Sequence, residues 1–394
     1  MTTMEQSEHF GPSIERRQTL FSEKPVLVFW ETTRACKLSC VHCRASAIRD
    51  PLPGQLTTEE GKVLIEQVAS FGRPGPTMIF TGGDPLLRDD LFDLLEYATK
   101  LGVRFAVSPA ASDLLTYDAL KRLKVAGAAA ISLSLDGACE ETHDSIRREP
   151  GTFRRTVQAA RDAASLGLSA QVNTTVMKNN YLELPQIFRL ITGLGVKTWE
   201  VFFLVKVGRG TGVDDLSPEE CESVCNLLYD ASRQGTTVRT VEAPFVRRVA
   251  LQRSRSADYW TDPMYQTLKA DLLGSAGGDT GRSTLNPRGT LDGDGIVFVG
   301  FDGSISPGGL LPLRLGNIRE QSLREVYREN QLLRRVRERE LTGRCGVCEF
   351  KHICGGSRAR AYARNGDALS SDPSCLIVHR ELMSSSALRR PIEE

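Results

Sequence analysis

No apolar run in this 394-residue chain approaches the roughly 20 residues that a membrane-spanning helix needs. The longest candidates, such as Val26–Trp30 and Val125–Leu135, have the length of buried strands. Net charge is nearly absent: 50 Lys and Arg stand against 49 Asp and Glu, which leaves +1. That balance excludes a nucleic-acid or anionic-membrane binder working through bulk charge. The first twenty residues lack an apolar signal segment and carry Glu5, Glu8, Glu15, Arg16 and Arg17, so a cytoplasmic location is expected. What the chain does have is ten cysteines. In a reducing compartment these read as metal ligands or redox groups before disulfides. With 40% hydrophobic and 25% charged residues the composition is globular, and the length suggests two or three domains.

A polar arm is expected over residues 1–24. From residue 25 to 210, strand-like and helical segments alternate. The strand-like ones are Val26–Trp30, Thr77–Phe80, Val103–Val107, Ala129–Leu135, Leu168–Val176 and Thr198–Leu204. Helical patterns over Asp90–Leu101, Tyr117–Leu123, Phe153–Leu166 and Leu182–Gly193, and one opened by Thr57–Glu60, fall between them. Six such units predict an α/β fold whose parallel sheet curls into an open, partial (β/α)6 barrel, short of the closed eight-stranded form. Residues 211–290 are expected to hold a helix from Ser217 and then a long polar loop from Arg253 to Gly289. Residues 291–394 are expected to form a small α+β domain opening on a hairpin, Ile296–Phe301 and Ser304–Ser306.

Cys36, Cys40 and Cys43, spaced C-x3-C-x2-C, follow the first strand. Three thiolates from one loop suit three irons of a [4Fe-4S] cubane and leave the fourth iron open for chemistry. Zinc would need His42 as fourth ligand, and a residue flanked by ligands cannot easily share a tetrahedral metal with them. A disulfide would leave one thiol over.

This spacing at the end of a first barrel strand resembles the radical S-adenosylmethionine (SAM) superfamily. The resemblance implies that SAM chelates the open iron, and that reductive cleavage gives a 5′-deoxyadenosyl radical which removes hydrogen from a substrate. Thr81-Gly-Gly-Asp-Pro85 is similar to the family's Gly-Gly-Glu-Pro motif, implying SAM contacts from Gly82, Gly83 and Asp84. Ser132 and Ser134, with Asp136, share one face of the fourth strand and would face the cofactor. His143-Asp-Ser-Ile-Arg147 resembles a His-Asp-x-x-Arg stretch in which Arg147 would pair with the SAM carboxylate. Asn173, Phe203 and Leu204 would face ribose or adenine, and His42 would cover the cluster or adenine.

Cys345, Cys348, Cys354 and Cys375 form a second set. Spacing alone fits a zinc ribbon as well as a cluster. The surrounding Cys-Gly-Val-Cys and Cys354-Gly-Gly-Ser-Arg-Ala-Arg-Ala-Tyr362 resemble the SPASM/Twitch extension of radical SAM enzymes, implying an auxiliary [4Fe-4S] cluster. Fuller extensions carry further cysteines where this chain has Gly308 and Gly309, so one auxiliary cluster is expected. Cys139, Cys221 and Cys225 read as ordinary thiols.

The resemblance is closest to the branch that makes alternative haem and haem d. The expected activity is therefore radical SAM modification of a tetrapyrrole propionate, with Arg247, Arg248, Arg282, Arg288 and Arg314 as possible carboxylate ligands. A peptide maturase forming oxidative crosslinks is the alternative, and a non-catalytic iron–sulfur or zinc scaffold is the alternative from another class. No catalytic side chain is assigned. A small-molecule or peptide substrate and a flavodoxin- or ferredoxin-type electron donor are the expected partners, with no nucleic acid and no membrane.

Overall fold

The computed structural model describes residues 21–256, 259–274, 280–285 and 289–387; residues 1–20 of the expected arm, and Arg288, lie outside the described residues. Seven strands run parallel in chain order: β1 (Leu27–Glu31), β2 (Thr77–Thr81), β3 (Phe105–Val107), β4 (Ala130–Ser134), β5 (Ala170–Val176), β6 (Thr198–Phe203) and β7 (Thr237–Val241). The first six are the expected ones. The seventh, Thr-Val-Arg-Thr-Val, is short and has one buried residue, so little periodicity announces it. The helices α1 (Thr58–Ala69), α2 (Leu91–Lys100), α3 (Tyr117–Val125), α4 (Glu140–Arg147), α5 (Thr152–Leu166), α6 (Leu184–Gly193) and α7 (Pro218–Ala231) fill the connections. Reciprocal capping boxes, Thr57 with Glu60 and Ser217 with Glu220, start α1 and α7 where the sequence places Ser or Thr three residues before Glu.

The long polar loop expected from Arg253 to Gly289 is not what forms. Two helices, α8 (Val246–Arg255) and α9 (Pro263–Leu273), occupy most of its described part, with Asp262 capping the second through Met264 N and Tyr265 N. The segment reads as polar, yet Arg253 at its start, like Arg248 just before it, is buried in an ion pair rather than solvated. Arg248 meets Glu222 of α7 at 2.5 Å, both 1% exposed, and Arg253 meets Asp230 at 2.7 Å.

Strand β9 (Gly295–Val299), which follows the two-residue β8 (Leu291–Asp292), pairs parallel with β1, Leu27 opposite Ile296. It then forms the expected hairpin with β10 (Ser304–Ser306), and β10 pairs with β11 (Gly316–Asn317). The sheet, in order β11-β10-β9-β1-β2-β3-β4-β5-β6-β7, therefore runs unbroken through the boundary expected at residue 290. It remains open, with β7 and β11 at its ends among the described residues. The remaining helices, α10 (Leu323–Glu329), α11 (Gln331–Glu338), α12 (Gly343–Gly346), α13 (Arg358–Asn365) and α14 (Leu376–Ala387), follow the hairpin.

Alternation along the strands sorts the two faces. Val28, Trp30, Met78, Phe80, Ile131, Leu133, Val172 and Trp199 are buried in the main core. Their neighbours Phe29, Thr81, Ser132, Ser134, Asn173 and Phe202 line an inner cavity. No helix among the described residues is long and apolar enough to cross a membrane.

Removing one partner of a buried ion pair strands the other charge. Arg248→Ala should therefore lower unfolding free energy by about 3–5 kcal/mol, read by chemical denaturation. An unchanged denaturation midpoint would contradict the pairing.

Candidate functional site

At the C-terminal ends of the strands the inner face opens on a cavity of about 310 Å³. The loop after β1 delivers Cys36, Cys40 and Cys43 to it, all three with free thiols. Each sulfur already has a donor: Leu38 N lies 3.4 Å from Cys36 Sγ, Ala47 N 3.5 Å from Cys43 Sγ, and Arg147 Nη1 3.6 Å from Cys40 Sγ. Burial pushes the Cys36 thiol up to about 12, reinforced by the negative charge of Asp84, Cys40 and Cys43. A buried thiol so reluctant to ionise becomes a thiolate only against a metal's charge, and donors aimed at all three sulfurs suit a bound cluster. Among the described residues no group of three His, Cys, Asp or Glu side chains is gathered as a single metal ion would require. A cubane, which spreads its ligands over several irons, asks for a wider set.

Tertiary contacts hold this loop in place. Gly83 N donates to Thr33 O and Asp84 N to Ala35 O, each at 2.7 Å. A Cβ on Gly82 would sit 2.4 Å from Thr33 O, and one on Gly83 2.1 Å from Ala35 O. Gly82 also has φ +150. The glycines are thus required first by the cysteine loop itself, although both also line the cavity. From the far side of the barrel Arg209 clamps the same loop, donating from Nε to Cys40 O at 2.9 Å and from Nη1 to Ala47 O at 2.8 Å. Sequence reasoning used Gly208-Arg-Gly210 only as a boundary, since nothing local links residue 209 to residue 40.

Two residues expected to contact the cofactor have other partners among the described residues. Asp84 is fully buried and turned away from the cavity, accepting from Ser112 Oγ at 2.7 Å, Leu86 N at 3.1 Å and Ala110 N at 3.3 Å. Its carboxylate ties β2 to the segment after β3. Arg147 does line the cavity, but its Nη2 is spent on Asp136 Oδ2 at 2.5 Å and its Nη1 faces Cys40. Asp136 in turn accepts from Thr175 N at 2.7 Å and lies 3.7 Å from His42 Nε2. The guanidinium expected to face the SAM carboxylate thus bridges a buried aspartate and a cysteine.

Ser132, Ser134, Asn173, Phe203, Leu204 and His42 all line the cavity, and His143 joins them. His143 accepts from Asp136 N at 3.0 Å through Nδ1. Burial lowers both histidines to about 4, so both imidazoles are neutral at pH 7.

The four C-terminal cysteines converge on a separate small cavity walled by Phe350, Ile377 and Val378, with Arg248 at its edge. Burial raises Cys354 to about 12 and Cys375 to about 11, while Gly356 N lies 3.4 Å from Cys354 Sγ and Arg358 Nη2 3.9 Å from Cys345 Sγ. Cys221 and Cys225 are buried in the main core, as ordinary thiols should be, and Cys139 is exposed.

The expected carboxylate-binding arginines are elsewhere. Arg247 donates to Ile353 O and Thr290 O, Arg248 holds Glu222, and Arg282 and Arg314 are exposed away from the cavity. The arginines that do line it are Arg44, Arg147 and Arg209.

Residues 30–191 match the model of the radical SAM superfamily. The chain is 37% identical to the AdoMet-dependent heme synthase of Methanosarcina barkeri, covering 89% of this chain and 96% of that protein. It is 30% identical to the Fe-coproporphyrin III synthase of the same organism, over 91% and 90% of the two chains. The chain belongs to the radical SAM superfamily. As such it is an enzyme that uses SAM and a [4Fe-4S] cluster. Peptide-modifying members are further off: the mycofactocin maturase MftC of Mycobacterium tuberculosis is 28% identical over 91% of this chain and 85% of that one. The fold is shared with Streptococcus suis SuiB bound to S-adenosylmethionine, at a TM-score of 0.65 and 14% identity, over 90% and 78% of the chains.

The clamp on the cysteine loop can be broken without touching a cysteine. Arg209→Ala should leave the fold intact by circular dichroism but lower the iron bound after anaerobic reconstitution. Full iron loading would show that Arg209 is dispensable.

Proposed function

We propose that this radical SAM enzyme acts on a propionate-bearing tetrapyrrole of haem synthesis, removing a hydrogen atom from a propionate side chain whose carboxyl group then leaves as CO2, while one electron passes to an acceptor and a vinyl group remains. The observation that carries this reading is the near-full-length relationship to an AdoMet-dependent heme synthase. The site is compatible with it: phenylalanines 29, 202, 203 and 298 form an apolar wall for a flat ring system, and Arg44 stacks on Phe298 at 4.4 Å.

Cys36, Cys40 and Cys43 would hold the catalytic cluster, and Gly82, Gly83, Ser132, Ser134 and Asn173 would face SAM. Arg147 would orient Cys40 and lend its sulfur a positive neighbour. Cys345, Cys348, Cys354 and Cys375 would hold an auxiliary [4Fe-4S] cluster. When bound, SAM and the catalytic cluster supply the 5′-deoxyadenosyl radical, and the auxiliary cluster an electron acceptor or a substrate-binding iron. The apolar walls exclude water, and His42 and His143 present neutral imidazoles to the cavity. A flavodoxin- or ferredoxin-type donor in the cytoplasm would reduce the catalytic cluster.

Anaerobically reconstituted protein given SAM, dithionite and iron coproporphyrin III should form 5′-deoxyadenosine and a porphyrin lighter by CO2 and two hydrogens for each propionate converted, read in mass spectra. 5′-Deoxyadenosine without any change in the porphyrin would defeat the tetrapyrrole reading and favour a peptide. Cys40→Ala should abolish 5′-deoxyadenosine. Cys348→Ala should retain SAM cleavage while iron per chain falls by about half, since one of two four-iron clusters is lost; unchanged iron would refute the auxiliary cluster.

A further inference from the structure

Two carboxyl groups on the cavity wall have no place in the scheme so far. Glu242 directly follows β7 and Asp292 ends β8; both line the cavity, and their side chains interact directly. Two interacting carboxyl groups taken out of water repel each other when both are ionised, so the pair favours keeping a proton. Asp292 Oδ2 is buried and receives no donor among the described residues.

The chain is shaped around this pair. Glu242 sits at φ +59, a left-handed conformation that a side chain normally avoids. Gly293 N donates to Pro307 O at 2.9 Å, which brings β8 beside Gly308. A Cβ on Gly308 would lie 1.9 Å from Asp292 Oδ1. The missing side chain at Gly308 therefore leaves the space that Asp292 fills.

We propose that Glu242 and Asp292 form a proton-holding subsite that receives a carboxyl group of the substrate and shares a proton with it. The proposal rests on the tetrapyrrole reading and names how one propionate is recognised. An ionised pair would repel a carboxylate, whereas a pair that keeps its proton donates to it. Burial and the neighbouring Glu242 hold Asp292 well above the usual carboxylate range. Burial also raises Glu242, against the Ser357 hydroxyl that caps α13 and Arg360 within it. The charge of Arg360 is itself shared with Asp372 at 3.2 Å and with Asp215. Only O–H bonds change: the proton moves between carboxyl oxygens, and nothing is oxidised or reduced.

The test is absorbance titration of iron coproporphyrin III into the reconstituted holoenzyme without dithionite, across a pH series. Affinity should fall as pH rises through the titration of the pair, by about tenfold per unit where one proton is linked to binding. Its tetramethyl ester should bind without that pH dependence. Asp292→Ala should weaken binding about tenfold or more. Gly308→Ala, by displacing Asp292, should act in the same direction. Asp292→Asn, isosteric and carrying a permanent donor, should bind with a flat pH profile, and it guards against a folding defect in the alanine variant. Unchanged affinity in Asp292→Ala, or a wild-type pH profile in Asp292→Asn, overturns the subsite and leaves the tetrapyrrole reading standing. No binding by the wild-type protein overturns both.

Discussion

The backbone of the loop after β1 lies directly against the end of β2, and the rest of the site depends on that contact. Thr33 and Ala35 carbonyls occupy the space where Gly82 and Gly83 would otherwise carry side chains. Three cysteines can face one cavity only because their loop is held by hydrogen bonds from β2 on one side and by Arg209 on the other. A loop fixed by main-chain contacts keeps its sulfurs in place whatever occupies the cavity, which is the preorganisation a metal centre needs.

Buried charge is used chiefly to brace loops. Asp84 joins β2 to the segment after β3, Asp136 holds Arg147 against Cys40, and Arg248 and Arg253 turn a polar stretch into helix by pairing with Glu222 and Asp230. Such pairs are costly to bury and weak as sources of stability, but each fixes one geometry. Here the geometries concerned are those of the cysteine loop and of the wall beside the second cysteine set.

The two halves of the molecule share a sheet, not merely an interface. Because β1 lies between β2 and β9, residues after 290 complete the cavity begun by the barrel strands. Glu242 accepts from Ser357, three residues past Cys354, and its main-chain carbonyl accepts from Arg360, so this wall of the cavity is tied to the segment that carries the second cysteine set. The cavity and the C-terminal thiols are therefore mechanically one unit.

What could be read from residue order was what depends on residue order: the six alternating strand and helix patterns, the capping boxes, the hairpin, and the spacing of both cysteine sets. These follow from local periodicity and chain reach. The inward set of Ser132, Ser134 and Asn173 was legible for the same reason, since a strand alternates its faces. The roles of Asp84, Arg147, Arg209, Arg247 and Arg248 were not legible, because a charged side chain's use is set by whichever partner the fold brings near it, often more than a hundred residues away. Helices α8 and α9 escaped notice for a related reason: polarity along the chain marks a loop only while the charges remain in water. The meeting of Glu242 with Asp292 lay furthest out of reach. Their contact exists because the last strand of the barrel and the first of the C-terminal segment end at the same cavity, and only folding brings those ends together.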